Sequence, residues 1–229
     1  MLPQASSQIY KAQLRFHDED ENYRCLSTLN FGNYFDENRK AFGNLKVLND
    51  ETLAPQQTKS FSAEKGENII LIPLVGTIDY SDDFGNKNYI KTEEIQVLEV
   101  SEKGNFKTRN PYETELINYL QIRLESDSGN QNSFDKNHFD FGIPNELFTI
   151  LRNEGYSISI GIFSGRSEGI YHLKNKSKGA FAFVINGAFE FQNRLLESRD
   201  GLSIWDVSEI EFEALSENAI LLLIETRLK

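Results

Sequence analysis

The chain has 229 residues, 39% of them hydrophobic, and a formal net charge of −11. This length can bury a sizeable core as one large domain or two small domains. The acidic balance, with no block of Lys and Arg, argues against a protein that binds nucleic acid or an anionic membrane surface, since both require basic patches.

The number of cysteines and the hydropathy of the sequence predict the cellular compartment of the protein. Cys25 is the only cysteine, so no intrachain disulfide can form, which is typical of a reducing compartment. The first residues lack the apolar core of a signal peptide, and no apolar run reaches the length of a membrane helix. We therefore expect a cytoplasmic protein in which Cys25 is packed rather than reactive.

Short β-elements dominate the first half of the chain. Ser7–Phe16 alternates like an edge strand, and the charged residues His17–Asn22 predict an exposed loop. Gln56–Ser60 is a polar stretch that leads to the β-unit described next. Tyr89–Val100 and Leu116–Leu124 are further strand candidates.

The most regular β-unit is Glu67–Asn86. Ile69–Ile72 is an apolar run of the length of a buried strand, and Gly76 predicts a bend after it. Thr77–Tyr80 alternates polar and apolar residues, as a half-buried strand does. Ser81–Asn86 has the composition of a polar hairpin turn.

A polar segment divides the sequence. Ser126–Ser133 contains no apolar residue and predicts a linker, which gives an N-terminal domain over residues 1–128 and a C-terminal domain over 129–229. Asn145–Asn153 predicts a short helix with Asn145 as its N-cap. From Tyr156 onward the strand patterns return.

A weak internal repeat predicts the architecture. Leu74–Tyr80 resembles Ile185–Phe191, and Val100–Glu102 resembles Val207–Glu209. Two similar β-modules favour closed barrels, because closure removes exposed strand edges. The predicted fold is therefore all-β, with two antiparallel jelly-roll β-barrels and little helix.

Three segments resemble one family. Asn30–Asp36 and Phe42–Asp50 are similar to two early motifs of the pirin family. Ile69 and Ile70, with Gly76 and Phe84–Asn86, are similar to the family's central strand, glycine and turn. The resemblance covers most of the chain and implies a bicupin, a protein of two cupin barrels.

The resemblance also implies a metal site in the first barrel, commonly iron held by three His and one Glu. The positions of the first two His fall on Ser62 and Glu64, that of the third on Phe106, and that of the Glu on Thr108. Of these four residues, only Glu64 is a good metal ligand. We expect all four side chains to line a first-barrel pocket without a metal cofactor.

The histidines leave one alternative open. His17, His138 and His172 show no spacing typical of metal ligands. A site that combines His172 with Glu168 or Glu190 in the second barrel remains possible on sequence grounds.

The aromatic residues allow two interpretations. Phe181, Phe183, Phe189 and Phe191 alternate along two predicted strands. Alternation favours a barrel core, and an aromatic lining for a bound ligand is the other interpretation.

Two functions follow from these patterns. The first is a pirin-like bicupin with a degenerate metal site, acting as a small-molecule-binding or regulatory protein whose ligand or protein partner is unknown. The alternative is a quercetin 2,3-dioxygenase-like oxidoreductase with a divergent metal site, since some family members cleave quercetin and others act as nuclear cofactors. The missing histidines favour the first, and whether the chain is an enzyme stays open.

Overall fold

A computed structural model describes residues 5–126, 133–174 and 177–228. Strands in the first half are β1 Ser6–Tyr10, β2 Phe16–Glu19, β3 Tyr23–Ser27, β4 Leu45–Leu53, β5 Thr58–Ala63, β6 Glu67–Val75, β7 Ile78–Asp82, β8 Lys87–Ile90, β9 Glu94–Glu99, β10 Gly104–Arg109 and β11 Ile117–Glu125. The remaining strands are β12 Ser133–His138, β13 Phe148–Arg152, β14 Tyr156–Phe163, β15 Glu168–His172, β16 Lys178–Asn186, β17 Ala188–Phe191, β18 Arg194–Glu197, β19 Gly201–Trp205, β20 Glu209–Ala214 and β21 Ala219–Arg227.

Helix is nearly absent, as predicted. The described residues contain two single-turn 3₁₀ helices, Ala12–Leu14 and Glu37–Arg39. No helix in this part of the chain is long and apolar enough to cross a membrane.

The described residues form two compact units. The first barrel comprises Phe16–Ala41 and Leu45–His138, and the second comprises the chain up to Arg15, Phe42–Asn44 and the chain from Phe139 onward. The N-terminal strand β1 pairs with β19 and so completes a sheet of the second barrel. The predicted boundary between residues 128 and 129 lies outside the described residues and stays a prediction.

The first barrel consists of two antiparallel sheets. Seven strands run in the order β12-β9-β6-β11-β4-β3-β2, and four run in the order β5-β10-β7-β8. Their apolar side chains form one core, which includes Phe61, Ile69, Tyr80, Phe106 and Tyr119. Side chains alternate along a strand, so the residues between these lie on the other face of each sheet. In the seven-stranded sheet that face also carries buried apolar residues, among them Ile70, Ile72, Leu120 and Ile122.

The second barrel repeats this plan. Six strands run in the order β1-β19-β16-β21-β14-β13, and four run in the order β15-β20-β17-β18. Phe181, Phe183, Phe189 and Phe191 are all fully buried. Phe189 and Phe191 belong to the core of the second barrel, as the core interpretation predicted, whereas Phe181 and Phe183 alternate with the core residues of β16 and lie on its other face. The prediction of two all-β cupin barrels is therefore confirmed.

The bend at Gly76 has a steric cause. Gly76 lies between β6 and β7 with φ +79°, a conformation that glycine adopts without strain. A Cβ atom at this position would lie 2.7 Å from the Cγ2 atom of Ile117. Ile69–Ile72 is buried in β6, and the turn between β7 and β8 falls within the predicted Ser81–Asn86 segment.

The predicted helix over Asn145–Asn153 is wrong, because Phe148–Arg152 is strand β13, paired with β14. Asn145 has φ +68°, and its side chain accepts a hydrogen bond from the Ser164 backbone at 2.8 Å. This residue therefore fixes a loop instead of capping a helix, and the edge of β14 gains the paired strand.

Two further segments contain strand residues that the sequence analysis did not predict. His17–Asn22 was predicted as a loop, but its first residues belong to the edge strand β2, whose side chains are largely exposed. The last three residues of the polar stretch Gln56–Ser60 belong to β5. Both strands carry many polar residues, so their alternation is weak.

Candidate functional site

The inner face of the first barrel is defined by the pairing of β5 with β10. Phe61 lies directly opposite Phe106, and Lys59 lies opposite Thr108. Directly opposed residues share one face of a sheet. The odd-numbered residues of β5 therefore lie on the same face as Phe106 and Thr108.

The four predicted pocket residues do not all lie on that face. Phe106 and Thr108 are completely buried, as expected. Ser62 and Glu64 are exposed, so the prediction that they point into the barrel is wrong. Ser62 lies opposite Asn105, which is also exposed, so both belong to the outer face.

These four residues do not fit the metal centre that the family resemblance implies. Glu64 forms an ion pair with Lys103 at 2.9 Å. The Thr108 hydroxyl lies 2.8 Å from the Tyr119 hydroxyl, and Phe106 has no donor atom. The described residues also contain no group of three or more His, Cys, Asp and Glu that could hold a metal ion.

Aromatic side chains surround Phe106. Its ring stacks on Phe61 with centroids 5.1 Å apart and on Tyr80 with centroids 6.1 Å apart. The Arg123 guanidinium carbon lies 5.6 Å from the centroid of the Phe106 ring, within the range of a cation–π contact. An arginine cation thus lies next to the position predicted for the third histidine.

Arg123 belongs to a row of buried polar side chains on β4 and β11. Its Nε donates to Gln121 Oε1 at 2.7 Å, and Gln121 Nε2 donates to Glu51 Oε1 at 2.9 Å. Glu51 lies opposite Cys25 on one neighbouring strand and opposite Tyr119 on the other. The inner face of this sheet therefore carries a connected polar network within an apolar core.

Burial governs the ionisation of this network. It raises the pKa of Glu51 to about 7, an effect that hydrogen bonding from Tyr119 and Asn49 partly offsets. It also raises the pKa of the Cys25 thiol to about 12 and that of Tyr23 well above its ordinary value. Cys25 and Tyr23 are consequently neutral at physiological pH, and Cys25 is a packed residue rather than a thiolate nucleophile.

A cavity of about 540 Å³ opens beside this network. It is lined by Phe16, Asp18, Tyr23, Cys25, Ser27, Phe31, Gly32, Asn33, Lys59, Ser60, Phe61, Ser62 and Arg123. Four aromatic residues and two cations are thus present in one concave site. Mixed apolar and polar linings of this size are typical of small-molecule sites.

The second barrel carries a row of carboxylates. Glu213 lies opposite Glu168 on one side and opposite Glu190 on the other. His172 does not join this row: it lies opposite Glu209, and its exposed Nδ1 is 3.8 Å from a Glu209 oxygen. The proposed combination of His172 with Glu168 or Glu190 is therefore not brought together.

Sequence reasoning missed most of the cavity. Lys59 and Phe61 lie on β5, a strand whose alternation is weak, and Glu51 and Arg123 are charged residues in strands that mix apolar and polar residues. A charged residue inside a buried β-pattern is the one available signal, because burying a charge requires a partner. A weaker form of this signal is present at Gln121, a polar residue between the apolar residues Leu120 and Ile122.

Comparisons with known proteins agree with the fold. Residues 153–226 match the family model of the quercetinase C-terminal cupin domain. A quercetin 2,3-dioxygenase of Escherichia coli K12 is 24% identical over 222 residues, which cover 93% of this chain and 95% of the relative. A pirin-like protein of Caulobacter vibrioides is 26% identical over 208 residues, which cover 85% of this chain and 88% of the relative.

A solved structure extends the likeness to the whole chain. The crystal structure of the bacterial pirin YhhW of Escherichia coli, in complex with nickel(II), superposes with a TM-score of 0.89 at 20% identity. The match covers 98% of this chain and 100% of that one. The resemblance predicted from the sequence is confirmed: the chain is similar to pirin-like proteins over most of its length and is built from two cupin β-barrels.

Proposed function

We propose that this pirin-like protein binds a small molecule in its first barrel without a transition-metal centre. In this view it is a binding or regulatory protein and not a metal-dependent dioxygenase. The observation that carries the proposal is the packing of Phe106, which occupies the predicted position of the third histidine and stacks on Phe61.

The chemistry of the donor set supports this proposal. A catalytic metal site generally needs three protein ligands, and imidazole is the ligand that best suits iron. The inner face offers a phenyl ring at Phe106 and a hydroxyl at Thr108 that already pairs with Tyr119. Glu64 lies outside that face and is paired with Lys103.

The cavity supports a retained binding role. Its volume of about 540 Å³ falls in the range of small-molecule sites, and its lining comes from four strands and one loop of the same barrel. A buried polar network next to it supplies fixed donors and acceptors. A first barrel without metal ligands would therefore still contain a cavity lined by aromatic, polar and charged side chains.

The alternative is a quercetin 2,3-dioxygenase-like oxidoreductase with a divergent metal site. It is favoured by the name of the Escherichia coli relative, which is similar over nearly the whole chain. Such a site would need ligands other than the four at the predicted positions.

Metal content and quercetin turnover distinguish the two functions. The purified protein, expressed with added iron, manganese, nickel and zinc, is analysed for metal and then assayed for quercetin consumption. The Escherichia coli relative, purified in parallel, is the matched control. We expect far less than one metal per chain and no quercetin oxidation. Close to one metal per chain together with turnover would establish the alternative.

A further inference from the structure

We propose that the first-barrel cavity binds a planar aromatic compound that carries a carboxylate, and that the guanidinium of Arg123 receives the carboxylate. The proposal rests on the proposed function, since it names the ligand class of the same cavity. An arginine side chain then supplies one of the positive charges of the pocket.

The hydrogen bonds of Arg123 leave one donor group available. Nε donates to Gln121 Oε1 at 2.7 Å, and Nη1 donates to the Ser62 carbonyl oxygen at 2.8 Å. Nη1 also lies 3.3 Å from an oxygen of Glu67. Among the described residues, nothing accepts from Nη2, although the side chain is only 7% exposed and lines the cavity. The guanidinium is thus held in place while Nη2 is free to bind an acceptor.

A buried guanidinium suits a carboxylate. Its Nη2 group can donate to one oxygen of a carboxylate, and such a charge-assisted hydrogen bond is about twice as strong as a neutral one. Rings at 5.6 Å and 5.7 Å, those of Phe106 and Phe31, fix the plane of the guanidinium further. Little side-chain freedom is lost when a ligand binds to a group that is already ordered.

A second cation lines the same cavity. Lys59 Nζ lies 3.8 Å from the centroid of the Tyr23 ring, and no carboxylate of the described residues is within ion-pair distance. Tyr23 and Cys25 are neutral and cannot balance this charge. Asp18 is the one carboxylate among the described lining residues, and it is exposed. The lining therefore carries more positive than negative charge.

The aromatic walls specify the rest of the ligand. Phe31 lies beside Arg123, and Phe61 lies on the inner face of β5 between Lys59 and the carbonyl that holds Arg123. Lys59 and Ser62 are three residues apart, which is about 10 Å along a strand. A carboxylate at Arg123 followed by two fused rings matches this length, and flat rings pack well against aromatic side chains.

The test uses two probes that differ in charge and have nearly the same shape, 2-naphthoate and 2-naphthamide. Affinities for the metal-free protein are measured by isothermal titration calorimetry, and NMR shifts of the Cys25 and Phe61 amides locate the binding. We expect the acid to bind about tenfold more tightly than the amide, as expected for one charge-assisted hydrogen bond. This comparison needs no variant, so it holds even if a substitution at Arg123 prevents folding.

Three variants then test whether Arg123 is the source of the preference for the acid over the amide. Arg123→Met is expected to remove the acid preference, and Arg123→Lys is expected to reduce it, because the charge remains but the planar guanidinium with its fixed Nη2 donor does not. Lys107→Met removes the same charge from the exposed face of β10 and is expected to leave the preference intact. Circular dichroism melting checks the fold of each variant.

The outcomes separate this inference from the proposed function. Equal binding of acid and amide, no binding of either, or an acid preference that survives in folded Arg123→Met would overturn the anion inference. The proposed function fails on a different result, which is stoichiometric metal together with quercetin oxidation.

Discussion

Phe106 lies directly opposite Phe61 across the β5–β10 pair, and their stacked rings have centroids 5.1 Å apart. The pairing places Phe61 on the inner face of the first barrel and its neighbour Ser62 on the outer face, since side chains alternate along a strand. Any metal-binding set built on β10 must therefore use the odd-numbered positions of β5.

The first prediction tests this register with engineered metal ligands. A variant with Phe61→His, Phe106→His and Thr108→Glu places three ligands on one face, where opposed Cβ atoms are about 5 Å apart. We expect it to bind nickel or zinc more tightly than a variant with Ser62→His, Glu64→His, Phe106→His and Thr108→Glu. Elemental analysis after dialysis compares the two, and Arg123 is present in both, so its repulsion of the metal is shared. Stronger binding by the second variant would show that the register is shifted.

The second prediction concerns the aromatic core of the first barrel. Phe106→Ala removes a fully buried ring packed between Phe61 and Tyr80. We expect it to lower the free energy of unfolding by about 3–5 kcal/mol, the usual cost of such a cavity. Urea denaturation measures the change. Phe35→Ala, at a residue that is 64% exposed, is the control and should change stability by less than about 0.5 kcal/mol. Equal effects of the two substitutions would contradict a core role for Phe106.

The sequence predicted the architecture better than the site, and β5 explains why. Parity within one strand is visible in a sequence, so Phe106 and Thr108 were correctly placed on one face, and Ser62 and Glu64 on one face. The register between two strands depends on pairing across more than 40 residues of chain, which no local pattern records. Lys59 made the inner face of β5 harder to predict, because a lysine between polar neighbours is usually interpreted as an exposed residue.

Tertiary pairing also explains the error at β13. Asn145 precedes a short apolar run in the manner of a helix cap, and helix propensity is a weak preference that tertiary contacts override. Thr149 and Ile150 are β-branched and suit a strand. Pairing with the edge of β14 favours a strand over a helix here, and a local sequence pattern does not reveal this pairing.

The third prediction concerns the attachment of the N-terminal strand within the second barrel. Lys11 Nζ lies 2.6 Å from Asp200 Oδ2, and the Asp200 side chain is 2% exposed. Lys11→Met leaves this buried carboxylate with its backbone donors alone, those of Ala12 and Glu197. We expect a loss of about 1–3 kcal/mol, because hydrogen bonds to buried charged groups are costly to remove.

The matched control for this change is an exposed pair. Lys40→Met removes the same charge from the ion pair with Glu37, whose side chains are 60% and 71% exposed. Exposed pairs contribute little, so a change below about 0.5 kcal/mol is expected. Thermal melting of both variants in one buffer compares them. If Lys11→Met is no more destabilising than Lys40→Met, the buried pair does not anchor β1.

The fourth prediction is a pH dependence of stability that originates at Glu51. Burial raises the pKa of this carboxyl from 4.5 to about 7 in the folded chain, whereas the unfolded chain keeps the ordinary value. Between these two values the folded chain holds a proton that the unfolded chain has released. The free energy of unfolding therefore falls as the pH rises from about 4.5 to 7, and this contribution is constant above that window.

Glu51→Gln isolates this contribution, because a glutamine has the shape of a protonated glutamate and does not titrate. Between pH 4.5 and pH 8, the free energy of unfolding of the wild type should fall relative to that of Glu51→Gln by on the order of 3 kcal/mol. Urea unfolding at closely spaced pH values measures it, and Glu113→Gln, at an exposed position of the same barrel, corrects for the general loss of an acidic group. A difference that does not change with pH would mean that Glu51 is ionised throughout. Arg123 and the hydroxyl of Tyr119 would then stabilise the charge more strongly than burial opposes it.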